Sequence, residues 1–233
     1  MKAILFDLDG TLLPMDMEKF MHVYFHELGA VVIPMGVPAD KFAAAIWAGT
    51  GAMMKNTGEK LNADVFWDVF TAQTGVERTL VEPVCDSFYD EGFHKARAAT
   101  MENPLAAEAV RVAREKADKV VLATNPLFPM QGQKTRMSWL GLKEEDFDLV
   151  TCYSSDRHCK PNPAYFEDVC RRIGVEPKNC LMIGNDERED MLCASSLGIE
   201  CYLVTDCMIP CPDHPWQGKK GTFAEMVEML KSL

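Results

Sequence analysis

Residues 2–11 read Lys-Ala-Ile-Leu-Phe-Asp-Leu-Asp-Gly-Thr, and the fold turns on how this stretch is understood. Ala3 to Phe6 is an apolar run of the length a buried strand uses. It stops at Asp7-Leu8-Asp9-Gly10. Two carboxylates two positions apart, at the carboxyl end of a buried strand, are costly to bury unless a cation or a proton accompanies them. Gly10 lets the chain turn sharply as it leaves the sheet.

The surrounding composition narrows what such a strand end can serve. At 233 residues there is room for one large domain, or for a core with an inserted module. A hydrophobic content of 48% supports a full core and argues against disorder. The net charge of −11 argues against a nucleic-acid partner. No apolar run approaches the roughly 20 residues of a membrane span, and, with the first strand starting at once, no signal peptide is expected. Nine cysteines is an odd count, best read as free thiols in a reducing compartment, so a cytoplasmic location is expected. Cys207 and Cys211, with Cys201 and His214 near, match no standard zinc spacing, and no zinc site is expected there.

Beyond Thr11 the periodicity changes to helical. Met17, Phe20, Met21, Tyr24, Phe25 and Leu28 share a face, with Gly29 as the stop. His22 and His26 fall on another face and read as solvated. Further helices are expected over Ala39–Ala48 and Ala63–Thr74. Thr79 and Glu82 have capping-box spacing for a fourth, with Pro83 in its first turn. Gly49 to Gly58 reads as an exposed loop carrying Lys55, Asn56 and, just beyond, Lys60; it lacks the Gly-Lys-Ser/Thr ending of a phosphate loop. Residues 15–98 therefore read as all-helical.

From Asn103 onward strands and helices alternate. Apolar strands are expected at Val120–Ala123, Asp148–Tyr153, Cys180–Ile183 and Cys201–Val204. Helices are expected at Pro104–Ala117, around Trp139 and Leu140, after the cap Asn162-Pro163, around Met191 to Leu197, and at Phe223–Leu230. This alternation implies an α/β fold with a parallel sheet between two helical layers.

In such a sheet, ligands bind beyond the carboxyl ends of the strands. The polar residues there are Asp7 and Asp9, Thr124 and Asn125, Lys160, and Asp186 with Asp190. Carboxylates at this density suit a hard cation, and Mg²⁺ accepts one or two carboxylates plus substrate oxygens. A cation, a lysine and a hydroxyl together meet the needs of a phosphoryl group.

At this point the sequence resembles the haloacid dehalogenase superfamily. Its Asp-x-Asp-Gly-Thr motif is met by Asp7 to Thr11, its strand-ending Thr by Thr124, its Lys before a helix by Lys160, and its acidic pair after Gly by Asp186 and Asp190. The resemblance implies a Rossmann-like three-layer core, residues 1–14 and 99–233, with a helical cap domain at 15–98. It implies that Asp7 is the nucleophile, Asp9 the acid and base, and Lys160 and Thr124 partners of the phosphoryl group, with Asn125 beside them. It implies Mg²⁺ held by Asp7, the Asp9 main-chain carbonyl and Asp186, with Asp190 orienting Lys160 or binding through water. Asn185 stands where the family often has Asp, so it too is a candidate for the direct ligand place.

The expected activity is a Mg²⁺-dependent phosphatase acting on a small phosphorylated metabolite. Asp9 separates it from the superfamily's dehalogenases, which lack an acid there. A phosphosugar mutase shares all four motifs and is the enzymatic alternative. A phosphonate hydrolase would want a Schiff-base lysine, for which Lys55 is the candidate. A binding or regulatory protein on this fold is the alternative of another class. Lys55, Asn56 and Lys60 are the expected contacts to the leaving group.

Overall fold

A computed structural model describes all 233 residues. Six parallel strands form one sheet in the order β3-β2-β1-β4-β5-β6. They are β1 Ala3–Phe6, β2 Lys119–Leu122, β3 Leu149–Val150, β4 Cys180–Gly184, β5 Glu200–Val204 and β6 Lys219–Gly221. Period-two alternation splits β1 between two apolar layers. Ile4 and Phe6 join Val120, Leu122, Leu181 and Ile183 on one face. Ala3 and Leu5 join Val121, Ala123, Cys180 and Met182 on the other. The first face is covered by α5 (Ala106–Lys116) and α9 (Phe223–Ser232). The second is covered by α7 (Pro163–Ile173) and α8 (Cys193–Ser195). This is the expected Rossmann-like α/β/α sandwich, with β1 central and its carboxyl end in the middle of one edge.

Between β1 and α5 lie α1 (Met17–Val32), α2 (Ala39–Met54), α3 (Asn62–Thr74), α4 (Arg78–Asp90) and a 3₁₀ stretch, Gly92–Ala99. The two connections into this block pair with each other: Asp16 N donates to Ala99 O at 2.9 Å, and Met101 N to Pro14 O at 2.8 Å. An aromatic cluster ties the block to the core, with Phe93 5.5 Å from Trp139 and Tyr24 5.5 Å from Phe128 between ring centroids. Trp139 belongs to α6, Met130–Trp139. No single helix is long and apolar enough to cross a membrane.

Several local expectations needed revision. Gly29 does not stop α1; it is buried against Phe42, and the helix runs on to Val32. Gly49 to Met54 is the last part of α2 rather than a loop. The cause is tertiary: Gly49 lets α3 approach closely, since a Cβ there would lie 2.6 Å from the Phe66 ring. Thr79 is not a cap. α4 starts at Arg78, whose guanidinium bonds Glu82 and Asp64, and Pro83 sits inside the helix. The helix after β4 opens as a π turn, Glu187–Leu192, and the edge strand β6 had no apolar run to announce it. All nine cysteines are free thiols.

Candidate active site

β1 hands the chain to Asp7, whose amide is still held by Ile183 O at 2.9 Å. The turn that follows closes through Gly10 N to Leu13 O at 2.8 Å and Leu13 N to Leu8 O at 2.8 Å, which leaves the Asp9 carbonyl out of the backbone pairing. Gly10 has φ of 85°, and a Cβ there would collide with Asn185. Both the backbone conformation and the close approach therefore require glycine. The Thr11 hydroxyl lies 3.1 Å from Asp7 Oδ2 and 3.1 Å from Asn185 Oδ1, bridging the first strand end to the fourth.

Lys160 reaches the same place from the loop after β3. Its ammonium is buried and donates to Asp7 Oδ1 at 2.9 Å and to Asp190 Oδ1 at 2.6 Å. Burial opposes its charge, but the two carboxylates outweigh that cost and hold Lys160 well above its ordinary pKa. Burial pushes Asp190 up to about 7, against the pull of Lys160. Asp190 Oδ2 accepts from the amides of Asn185 and Asp186, each at 3.1 Å, so both oxygens serve as acceptors. Gly184 makes room for this carboxylate, because a Cβ there would overlap it.

Asn185 is tied at both ends, accepting from Thr11 and donating to Cys207 O at 2.6 Å. Asp186 uses one oxygen, Oδ1, to accept from the amides of Arg188 and Glu189 at 2.8 Å each. It caps the following turn as an acid at a helix N-terminus does. Thr124 follows β2. Its carbonyl accepts from Thr151 Oγ1 at 2.7 Å and from the Tyr165 hydroxyl at 3.0 Å, which fixes the backbone that presents its side chain. Asn125 braces the lysine loop, accepting from Lys160 N and donating to Lys160 O, both at 3.2 Å, and donating to Glu189 Oε2 at 2.8 Å. Burial raises the pKa of Glu189, partly offset by Lys160.

One participant was not foreseen. Arg136, on α6, is fully buried and donates to Asp9 Oδ2 and to Gln133 Oε1, and its Nε donates to Gly132 O at 3.2 Å. Its guanidinium lies 4.2 Å from the Phe128 ring centroid, a cation–π contact. Burial raises the pKa of Asp9, and Arg136 opposes it. The other oxygen, Asp9 Oδ1, is buried without a protein partner. The sequence offered little warning of Arg136: Met130 to Trp139 has no clear apolar face, and Arg136 lies 127 positions from the acid it meets.

These strand-end groups form the floor of a cavity of about 420 Å³. Asp7, Asp9, Thr124, Asn125, Lys160, Asn185, Asp186 and Asp190 all line it, as the sequence reading expected, and Glu189 joins them. The walls come mostly from α1 to α4, completed by Leu127, Phe128, Pro129, Tyr153 and Ile209. Lys55 lies outside. It follows the last turn of α2, is exposed, and is not among the wall residues. Lys60 pairs with Asp68 at 2.7 Å in solvent, and Asn56 donates to Lys60 O and Asn62 Oδ1 to close its own loop. The expected leaving-group contacts are thus a loop-closing group and two solvated lysines.

Residues 1–198 match the family model of haloacid dehalogenase-like hydrolases. The chain belongs to that family, and it is a hydrolase. The glyceraldehyde 3-phosphate phosphatase of Methanothermobacter thermautotrophicus is 25% identical over 205 residues, covering 88% of this chain and 85% of its own. Among solved structures, a 2-haloacid dehalogenase from Pseudomonas syringae pv. Tomato DC3000 superposes with a TM-score of 0.62 at 17% identity, covering 100% of this chain and 99% of its own. The magnesium-bound HAD-hydrolase YfnB from Bacillus subtilis gives 0.61 at 16% identity, covering 100% and 99%. At those identities the two structures share the fold.

Proposed function

We propose that this chain is a Mg²⁺-dependent phosphatase that hydrolyses a phosphomonoester through an aspartyl-phosphate on Asp7. The observation that carries this reading is the Asp7 carboxylate. It lies 2.9 Å from the buried Lys160 ammonium, at the floor of a cavity that also holds Asp9 and the Thr124 side chain. Lys160 and Thr124 offer a charge and a hydroxyl to the phosphoryl oxygens while Asp7 attacks phosphorus. Asp9, protonated on its unpartnered oxygen, gives that proton to the ester oxygen as the bond to phosphorus breaks. The alcohol leaves. Asp9 then takes a proton from water, which attacks the aspartyl-phosphate, releases inorganic phosphate and restores Asp7.

The donor set suits Mg²⁺. Asp7 and Asp186 bring carboxylates to one cavity, and the Asp9 carbonyl is free of backbone pairing. When bound, the cation supplies counter-charge to the phosphoryl oxygens. Asp186 is favoured over Asn185 as a ligand because both ends of the Asn185 amide are already engaged. Residues 15–98 act as a cap on the core formed by 1–14 and 99–233, a division supported by the paired connections at Pro14 to Asp16 and Ala99 to Met101.

Release of p-nitrophenol from p-nitrophenyl phosphate in the presence of Mg²⁺ tests the activity, with a 2-haloacid as the counter-substrate. Halide release, or no phosphate release from any ester in a broad panel, would overturn it.

A further inference from the structure

The cavity has two chemically distinct halves. Its charged residues, Asp7, Asp9, Lys160, Asp186, Glu189 and Asp190, all belong to the strand ends. Every wall residue contributed by α1 to α4 is uncharged, and 19 of the 30 lining residues are hydrophobic. The one lysine is already held by two carboxylates, so no cation remains for a second anionic group on the substrate. Hydrogen-bonding groups in the walls are few: the Trp67 indole N–H is a buried donor without a partner, and Thr50 adds a hydroxyl. The Tyr24 and Tyr89 hydroxyls are 2.9 Å apart, so one donates to the other and only one of the two protons remains for a substrate. A sugar carries more hydroxyls than these few groups can pair, and each one left unpaired would cost about 1–3 kcal/mol. An apolar group would gain roughly 25 cal/mol for each Å² it removes from water.

From this we propose that the leaving group is an uncharged apolar alcohol, so that the substrate class is alkyl or aryl monophosphates rather than phosphosugars or phosphorylated carboxylates. The inference rests on the phosphatase reading above and adds the class of ester. A volume of about 420 Å³ lies within the range of pockets that enclose small organic ligands. Met54 marks where the two halves meet: its sulfur is 3.7 Å from Asn125 Nδ2 at the floor, while the rest of α2 forms wall. The first atoms of the alcohol beyond the ester oxygen would pass this side chain.

The test is a homologous series. kcat/KM for straight-chain alkyl phosphates from ethyl to octyl should rise about threefold to fourfold per methylene until the cavity is full. Glycerol phosphate, 3-phosphoglycerate and glucose 6-phosphate should fall at least tenfold below hexyl phosphate. Met54→Lys, checked for native circular dichroism, should lower the hexyl phosphate to 3-phosphoglycerate ratio at least tenfold. A flat alkyl series, or a preference for the sugar or the carboxylate, overturns the proposal while p-nitrophenyl phosphate hydrolysis leaves the phosphatase reading standing. If no ester is hydrolysed, calorimetric titration of the same phosphates into the protein still decides: tighter binding with each methylene supports the apolar class, and equal or reversed affinities reject it.

Discussion

Arg136, wholly buried on α6, donates to the carboxylate of Asp9, which the turn after β1 places in the cavity. This buried cation is compensated by one strand-end acid, one glutamine, one carbonyl and the face of the Phe128 ring, and Asp9 is its one counter-charge. Its presence sets both the stability of this region and the proton affinity of Asp9.

Arg136→Met should therefore lower the urea midpoint, because it leaves the partly buried Asp9 without its counter-charge. It should also change the pH profile. Burial raises the Asp9 pKa and Arg136 lowers it, so loss of Arg136 raises it further. A group that must carry a proton to start the reaction supports kcat/KM below its pKa and loses it above. The descending limb of kcat/KM should move to higher pH in the variant. An unmoved or downward-shifted limb would remove Asp9 as the acid.

Asp7→Asn keeps the size of the side chain and removes the nucleophile. Turnover should fall by several orders of magnitude, with circular dichroism unchanged and no phosphorylated protein in intact mass spectra. Lys160 retains Asp190 at 2.6 Å, so the lysine loop should stay in place. Near-normal turnover in this variant would end the covalent mechanism.

Chelation by EDTA should abolish hydrolysis, and added Mg²⁺ should restore it. Asp186→Ala should raise the Mg²⁺ needed for half-maximal rate far more than Asn185→Ala, since Asn185 is committed to Thr11 and Cys207 O. The reverse order would make Asn185 the ligand.

What the sequence made legible follows from locality. Asp7, Thr124 and Asp186 each stand just after an apolar run, so the strand and its end residue are read together. Lys160 precedes a helix with its own cap, Asn162, which accepts from Ala164 N at 3.1 Å. Arg136 carries no such signal: Gln133 and Gly132 on its own helix do not mark it as buried, and its counter-charge, Asp9, lies 127 positions away. Lys55 failed for the related reason that glycines were read as loop. Gly49 and Gly51 are helical, and the chain turns only after Met54, which leaves Lys55 outside the cavity walls. Lys55→Ala should accordingly change kcat/KM little for any substrate, since the side chain lies outside the cavity lining, and should shift stability by no more than about 0.5 kcal/mol.

The two glycines of α2 give a paired test of why this helix was hidden. At Gly51 a methyl group would meet nothing within 4 Å, so Gly51→Ala should gain most of the roughly 0.5–1 kcal/mol that alanine offers over glycine in a helix. Gly49 carries the same propensity gain but faces α3. A Cβ there would lie 2.6 Å from a Phe66 ring carbon and 3.2 Å from the Phe66 carbonyl oxygen. The ring is stacked on Phe70 at 5.8 Å and meets Trp67 edge-on at 5.3 Å, so it has little freedom to move away, and the carbonyl has less. Overpacking of this kind costs about 1–3 kcal/mol and outweighs the propensity gain. Gly49→Ala should lower the urea midpoint while Gly51→Ala raises it. Because Phe66, Trp67 and Phe70 form one wall of the cavity, Gly49→Ala should also reduce kcat/KM on the larger esters more than on the smallest. Stabilisation by both substitutions would mean that α2 and α3 are not in the close contact that builds this wall.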